Sequence, residues 1–308
     1  MSQNLPLFSI IIPTLNRPVQ LARCLQSLVY LDYPRERFEV IVVDDGSETP
    51  TENVVSSFCN RLNITFINQP HNGPARARNK GAAHATGEFL AFTDDDCTPA
   101  PDWLKALAVR FIGTPDNMIG GRSPNVLLNN PYSTASDLLI RYLYVHYNAE
   151  PEQAHFLTTN NLALPIGCFH KTGGFDTLFS RAAAEDREFC ERWLRHGFRM
   201  IYAPEVLVYH AHRLTLCSFY RQQFNYGRGA FRLQQIRARR RLHHLKIEPL
   251  SFYLNLLHYP MLEIQGAKKL LFLALIVLSQ GANAAGFLWE MVRQIIQKSN
   301  QPLSGRYD

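Results

Sequence analysis

The chain has 308 residues, enough for a full hydrophobic core in one large α/β domain with an appendage, or in two domains. Its 46% hydrophobic, 19% charged and 11% aromatic content excludes a disordered, collagen-like or coiled-coil chain. The net charge of +6 is unevenly held: residues 1–215 carry 19 basic against 22 acidic side chains, and residues 216–308 carry 13 against 4. An acidic-leaning body therefore precedes a basic tail.

The N-terminal stretch has no basic segment ahead of its apolar core, so no signal peptide is expected. Phe8–Thr14 reads as a buried strand, and Pro18 opens a helix with Leu21, Cys24, Leu25, Leu28 and Leu31 on one face. Glu39–Asp45 is a β-branched strand ending in Asp44, Asp45 and Gly46. Ile64–Ile67 is a third strand, and a helix follows around Ala75–Ala85. Glu88–Thr93 is a fourth strand, running into Asp94-Asp95-Asp96. The alternation predicts an α/β fold with a largely parallel, Rossmann-like sheet. Two strands thus end in acidic clusters, and in open α/β sheets ligands bind beyond those ends.

Further helices are predicted over Asp102–Phe111, Ser133–Tyr147 and Ala184–His196, with a loop at Gly173–Asp176 and short strands at Arg199–Ala203 and Val206–His210. The first 215 residues make one domain on this reading. Residues 216–308 make a basic helical region containing an uncharged apolar segment, 270–289. That segment has the length to cross a bilayer, about 20 residues, but Gln280, Asn283, Gly281 and Gly286 dilute it. It is expected to lie in the membrane interface or to insert partly. The basic run 237–246 lacks interleaved aromatics, so anionic lipid rather than nucleic acid is its expected partner. The six cysteines form no C-x-x-C pair, which suits scattered thiols in a reducing compartment. Together these features place the protein on the cytoplasmic side of a membrane.

Three adjacent carboxylates repel one another unless a cation neutralises them, and hard Mg²⁺ or Mn²⁺ binds such a group while keeping positions for phosphate oxygens. Arg76, Arg78 and Lys80 cluster near a helix start, Arg78 being the best placed to pair with the acids or a diphosphate. His210 and His212 share one face of a strand, and a neutral imidazole suits Mn²⁺. His212 is favoured narrowly.

In this order Ile12–Arg17, Val43–Ser47, Ala77–Gly81 and Phe92–Asp96 resemble the family-2 glycosyltransferases of the GT-A fold. Thr159–Ala163, Gly173–Phe179 and Glu185-Asp186 continue the likeness, which covers residues 7–215. The resemblance implies an inverting, metal-dependent enzyme that moves a sugar from a nucleoside-diphosphate sugar, UDP-linked by preference, to a hydroxyl of a glycan or lipid-linked acceptor. It implies nucleotide-sugar contacts from Pro13, Thr14, Asn16, Arg17, Asp45 or its neighbour Asp44, Arg78, Asp94 and Asp95. Asp96 is the implied metal ligand, with Asp94, His210 and His212 as further candidates. Asp186 is the implied general base beside Glu185, and Asn161, Gly173, Gly174 and Phe175 line the acceptor side. Arg228 is implied to reach the diphosphate. Its surroundings, Arg221–Gly229, lack the Trp of the Q-x-x-R-W motif found in processive members, so a polymerase is not expected.

Two other functions are compatible with an α/β nucleotide fold. A sugar-nucleotide pyrophosphorylase would need a phosphate loop that Pro13–Arg17 does not supply. A non-catalytic module retaining the nucleotide fold would bind donor without transferring sugar.

Overall fold

A computed structural model of the protein describes residues 5–179, 183–240 and 248–299, without the side chains of 298 and 299. The chain divides into two compact units, residues 1–213 and 214–308.

The first unit runs β1 (Phe8–Thr14), α1 (Pro18–Val29), β2 (Phe38–Asp44), α2 (Glu52–Ser56), β3 (Ile64–Asn68), α3 (Pro74–Ala83), β4 (Phe89–Thr93), β5 (Cys97–Pro99), α4 (Trp103–Gly113), β6 (Met118–Arg122), α5 (Pro131–Tyr147), β7 (Asn161–Pro165), α6 (Ile166–Thr172), α7 (Glu185–Arg195) and β8 (Met200–His210). Among the described residues the strands form one eight-stranded sheet in the order β3-β2-β1-β4-β7-β6-β8-β5. Strands β3, β2, β1 and β4 are mutually parallel. The sheet is largely parallel, as expected, and becomes mixed through two strands: β7 runs antiparallel to β4 and β6, and β5 antiparallel to β8.

Strand β1 is buried along its whole length, as expected of a parallel strand covered on both faces. Alternation then sorts its side chains. Ile10 and Ile12, with Val40 and Val42 of β2, join Leu21, Cys24, Leu25 and Leu28 of α1 and Trp103, Leu107 and Phe111 of α4 on one face. Ile11, Ile41 and Val43 face Ala77 of α3, Phe169 of α6 and Phe189 and Trp193 of α7 on the other. The chain reverses its direction of strand addition between β1 and β4, so the C-terminal ends of these two strands open a crevice. The two short strands predicted near the end of this unit are one strand, β8. An irregularity opposite Gly121 and Arg122 offsets its register.

The second unit consists of α8 (Leu216–Arg239), α9 (Leu250–Glu263) and α10 (Lys268–Ser299). A capping box starts α8: Ser218 N–H donates to Thr215 Oγ1 at 3.2 Å, and Thr215 N–H to Ser218 Oγ at 2.8 Å. Helices α8 and α10 approach backbone to backbone. A Cβ on Gly227 would lie 1.8 Å from the Asn283 carbonyl oxygen, and one on Gly286 would lie 1.9 Å from that of Phe224. The stretch Lys268–Gln297 contains an 18-residue window of mean hydropathy 1.8 and is long and apolar enough to cross a membrane. Residues 241–247 of the basic run fall outside the described residues.

Candidate active site

The crevice collects the acids. Thr14, the last residue of β1, donates its hydroxyl to Asp95 Oδ2 at 2.8 Å. Arg17, just beyond, places Nη1 3.1 Å from Asp95 Oδ1 and 3.0 Å from Asp96 Oδ2. Burial pushes the Asp95 carboxyl up to about 6, against the opposing pull of Arg17 and the Thr14 hydrogen bond. Asp96 is also buried, which alone would raise it. The hydrogen bond and charge of His210, with Arg17 and His212, outweigh this and hold it below the usual carboxylate range.

The C-terminal end of β8 brings in the histidines. His210 Nε2 stands 3.3 Å from Asp96 Oδ1, and one ligand atom each from Asp96, His210 and His212 can be chosen within 4.8 Å of one another. Burial and neighbouring His210 lower His212 to about 4, leaving it neutral at pH 7. His210 is desolvated as well, but its hydrogen bond to Asp96 and that carboxylate's charge raise it. Asp94 is not in this cluster; it turns to Arg78.

Arg78, on α3, is buried and bridges two walls of the site. Its Nη2 donates to Asp94 Oδ1 at 2.8 Å, and its Nη1 to Glu185 Oε1 at 3.3 Å. Glu185 Oε2 accepts from Ala183 N–H at 2.7 Å. Burial and the adjacent Asp186 push Glu185 above the usual carboxylate range. Asp186 is half-buried at the first turn of α7, accepts from Arg187 N–H at 2.7 Å and is raised by desolvation. The residue before this pair, Ala184, adopts φ +69°, a strained conformation for a non-glycine side chain that is common at functional sites. Nothing in the sequence pattern signals it.

Other expected contacts are directed elsewhere. Asp45 is surrounded: Oδ1 accepts from Gln69 Nε2 (2.7 Å) and Asn72 N–H (2.9 Å), while Oδ2 accepts from Gly73 N–H (2.8 Å) and lies 2.8 Å from His71 Nδ1. Asp44 accepts from Ser47 N–H at 2.8 Å and from the Thr51 hydroxyl. Both carboxylates therefore hold loops in place, and a base or ribose would have to share them. Asn16, at φ +55°, ties the β1–α1 turn to the same loop: its N–H donates to Ser47 Oγ and its Oδ1 accepts from Glu48 N–H, each at 2.8 Å. Pro13 is buried within β1 beside Val43.

The residues of the acceptor-side set are engaged within the protein. Asn161 is buried, accepts from Trp103 Nε1 at 3.0 Å and donates to the Val206 and Arg122 carbonyls at 2.9 and 3.1 Å. Its amide ties β7 to the carbonyls of β6 and β8. Phe175 is a core side chain, its ring 4.5 Å from that of Phe189. Gly173 and Gly174 end α6 with φ +81° and +68°. Asn79, next to Arg78 on α3, receives the Phe175 N–H and donates to its carbonyl, both at 2.8 Å. Arg228 lies in the second unit, where its Nε donates to Glu290 Oε2 at 2.7 Å.

The sequence profile of glycosyl transferase family 2 matches residues 9–185. This chain belongs to that family. Among similar proteins, glycosyltransferase AglE of Haloferax volcanii is 28% identical over 233 residues, covering 74% of each chain. The pre-mycofactocin glycosyltransferase of Mycobacterium tuberculosis is 31% identical over 229 residues, covering 72% of this chain; this glycosyltransferase spans about half of that relative's length, 46%. A mannosyltransferase from Pyrobaculum calidifontis, solved with GDP-Man and Mn²⁺, superposes with a TM-score of 0.60 at 20% identity, covering 97% of this chain and 82% of the other. Residues 1–349 of Staphylococcus aureus TarS, solved with UDP-GlcNAc, give a TM-score of 0.55 at 18% identity, covering 98% and 94%. The shared fold is GT-A-like, an α/β unit with a mixed sheet.

Proposed function

We propose that the first unit is an inverting, metal-assisted glycosyltransferase that moves a sugar from a nucleoside-diphosphate sugar to a hydroxyl of a glycan or lipid-linked acceptor. One observation carries this reading. Arg78 joins Asp94, at the donor-side strand end, to Glu185 beside Asp186, so that donor and acceptor carboxylates share one crevice.

The roles follow from the surroundings. Glu185 has both oxygens engaged by Arg78 and Ala183 and serves as a positioning residue. Asp186 is half-buried at a helix start, where the helix dipole favours its ionised form. It takes the proton of the acceptor hydroxyl as that oxygen bonds to the anomeric carbon. The bond from that carbon to the diphosphate breaks on the opposite face, the nucleoside diphosphate departs with the electron pair, and the configuration inverts. Arg17, with an exposed side chain, is the guanidinium offered to the diphosphate, while buried Arg78 holds Asp94 and Glu185 in place.

The donor set at Asp96, His210 and His212 fits a divalent ion: one hard carboxylate and two imidazoles lie close enough to converge on one centre. Mixed nitrogen and oxygen ligation favours Mn²⁺ over all-oxygen Mg²⁺. When bound, the ion supplies Lewis-acid neutralisation of the departing diphosphate. UDP is the preferred nucleotide, and the GDP-Man and UDP-GlcNAc of the two solved relatives define the donor panel to test.

The second unit, basic and carrying the apolar α10, is read as a peripheral or partly inserted attachment to an anionic membrane on its cytoplasmic side. Nucleic acid is not proposed as a partner.

The test is product formation from UDP- and GDP-sugars with a panel of acceptors, followed by mass spectrometry, for wild type, Asp186→Asn and Asp96→Ala. Transfer by the wild type and loss in both variants is expected. Wild-type activity in both variants would refute the site. Mn²⁺-dependent nucleotide binding without transfer to any acceptor would make the unit a binding module instead.

A further inference from the structure

Arg17 occupies an unusual place for a residue at the mouth of a site. A single nitrogen, Nη1, touches one oxygen of Asp95 and one of Asp96, so the guanidinium stands between the two buried carboxylates as their counter-cation. The acids are fixed, with side chains only 5% and 6% exposed, while that of Arg17 is 42% exposed. The exposed partner is the one free to move. The other oxygen of Asp96 faces His210. An ion held by Asp96, His210 and His212 therefore meets a resident positive charge on the same carboxylate, and like charges within a few ångströms repel.

Arg17 also has somewhere to go. It sits immediately before α1, on the turn that Asn16 fastens to Ser47 and Glu48, at the C-terminal mouth of β1. A diphosphate bound in the crevice offers a guanidinium the bidentate oxygen partner that it prefers.

We propose that Arg17 is a displaceable placeholder for the divalent ion: it neutralises Asp95 and Asp96 in the free enzyme and transfers to the diphosphate when nucleotide arrives, coupling metal binding to nucleotide binding. This rests on the metal site proposed above. Without nucleotide, the ion competes with Arg17 for Asp96. With nucleotide, the guanidinium has a new anion and the competition ends. The arrangement protects the acids from mutual repulsion without committing the empty enzyme to a metal.

Mn²⁺ binding to the full-length protein, measured by titration calorimetry and by electron paramagnetic resonance of free Mn²⁺, tests the idea in wild type and Arg17→Gln, with and without UDP. Without UDP, the variant is expected to bind Mn²⁺ about fivefold or more tightly than wild type, the lower end of usual coupling between two sites. With UDP that advantage should vanish or reverse, because the variant has lost a diphosphate contact. Equal or weaker Mn²⁺ binding by the variant without UDP would overturn the proposal. So would an advantage that UDP leaves unchanged, which would mark a fixed field effect. His212→Ala separates the two layers. If neither wild type nor Arg17→Gln binds Mn²⁺, or if His212→Ala binds it like wild type, the metal site itself fails and the placeholder with it.

Discussion

Asp186 and Glu185 are neighbours in the chain with different surroundings, and their chemistry diverges accordingly. Glu185 is tied on both oxygens; Asp186 keeps access to the crevice. Burial raises Asp186 above the ordinary position of a free aspartate, about 3.9. A base works only when ionised, so turnover should fall as pH drops through this raised ionisation, earlier than a free aspartate would dictate. A pH profile of kcat/KM checks this, and a rate flat down to pH 4 would refute Asp186 as the base. Asp186→Asn should cost about 10²–10⁴-fold in kcat, the usual share of a positioned base, with donor affinity little changed. Arg78 is the complementary case. Its removal, as Arg78→Met, strands Glu185 and leaves Asp94 without its partner, and breaking a buried pair from one side typically costs about 3–5 kcal/mol. A drop in Tm together with lost activity is expected, and an unchanged Tm would show that the bridge is not needed for stability. At this scale the sequence exposed the acids, because carboxylates repeated at strand ends are chemically conspicuous. It did not expose what surrounds them. Gln69, His71 and Asn72 reach Asp45 from a loop some 25 residues on, and nothing in local spacing announces such a long-range hydrogen bond.

Elements were readable in proportion to their periodicity. β1, β2 and β4 are short runs of apolar residues, and α1 repeats its apolar face at helical spacing, so all four were placed nearly at their observed bounds. β5, with three residues, and β6, with two glycines among five, carry too little pattern to register. The antiparallel pairing of β5 with β8, and of β7 with β4 and β6, is what makes the sheet mixed, and sheet direction is set by such tertiary partners rather than by any strand alone. The end of α6 gives a sharp comparison. Gly173 and Gly174 are both left-handed, but a Cβ on Gly173 would meet only Arg192 Nη1 at 3.9 Å. One on Gly174 would lie 2.8 Å from Asn79 Oδ1. Gly173→Ala should therefore cost about 1–2 kcal/mol, the conformational penalty of a left-handed alanine. Gly174→Ala should cost more, because it also pushes Asn79 off the Phe175 backbone. Denaturant unfolding of the two variants measures the difference, and equal losses would show that the Asn79 contact adds nothing. Gly173, Gly174 and Phe175 thus shape the end of α6, where Asn79 holds the Phe175 backbone.

At the scale of the whole molecule the charge is divided, −3 over residues 1–215 and +9 over 216–308. Within the second unit, polar groups face inward: Glu290 is buried and bound by Arg228 at 2.7 Å and Arg232 at 3.0 Å. Apolar groups face outward, with Leu270, Val277, Leu288, Trp289, Val292 and Ile295 of α10 all exposed. Water is a poor neighbour for such a surface, and exposed apolar patches of this kind mark interaction sites. A bilayer interface satisfies both the apolar face and the surplus of arginine and lysine, since each basic residue near an anionic surface contributes about 1 kcal/mol. The chain carries its own reporter for this contact. Of its three tryptophans, Trp103 and Trp193 are fully buried, and Trp289 is 60% exposed on the apolar face. Vesicles containing phosphatidylserine should therefore shift the tryptophan emission to the blue, and Trp289→Phe should abolish the shift while leaving binding in place. Neutral vesicles should give a smaller shift, and raised salt should weaken the effect as it screens the basic residues. An emission spectrum indifferent to anionic vesicles, or a shift that survives Trp289→Phe, would remove the membrane from the face of α10 and leave that face to a protein partner.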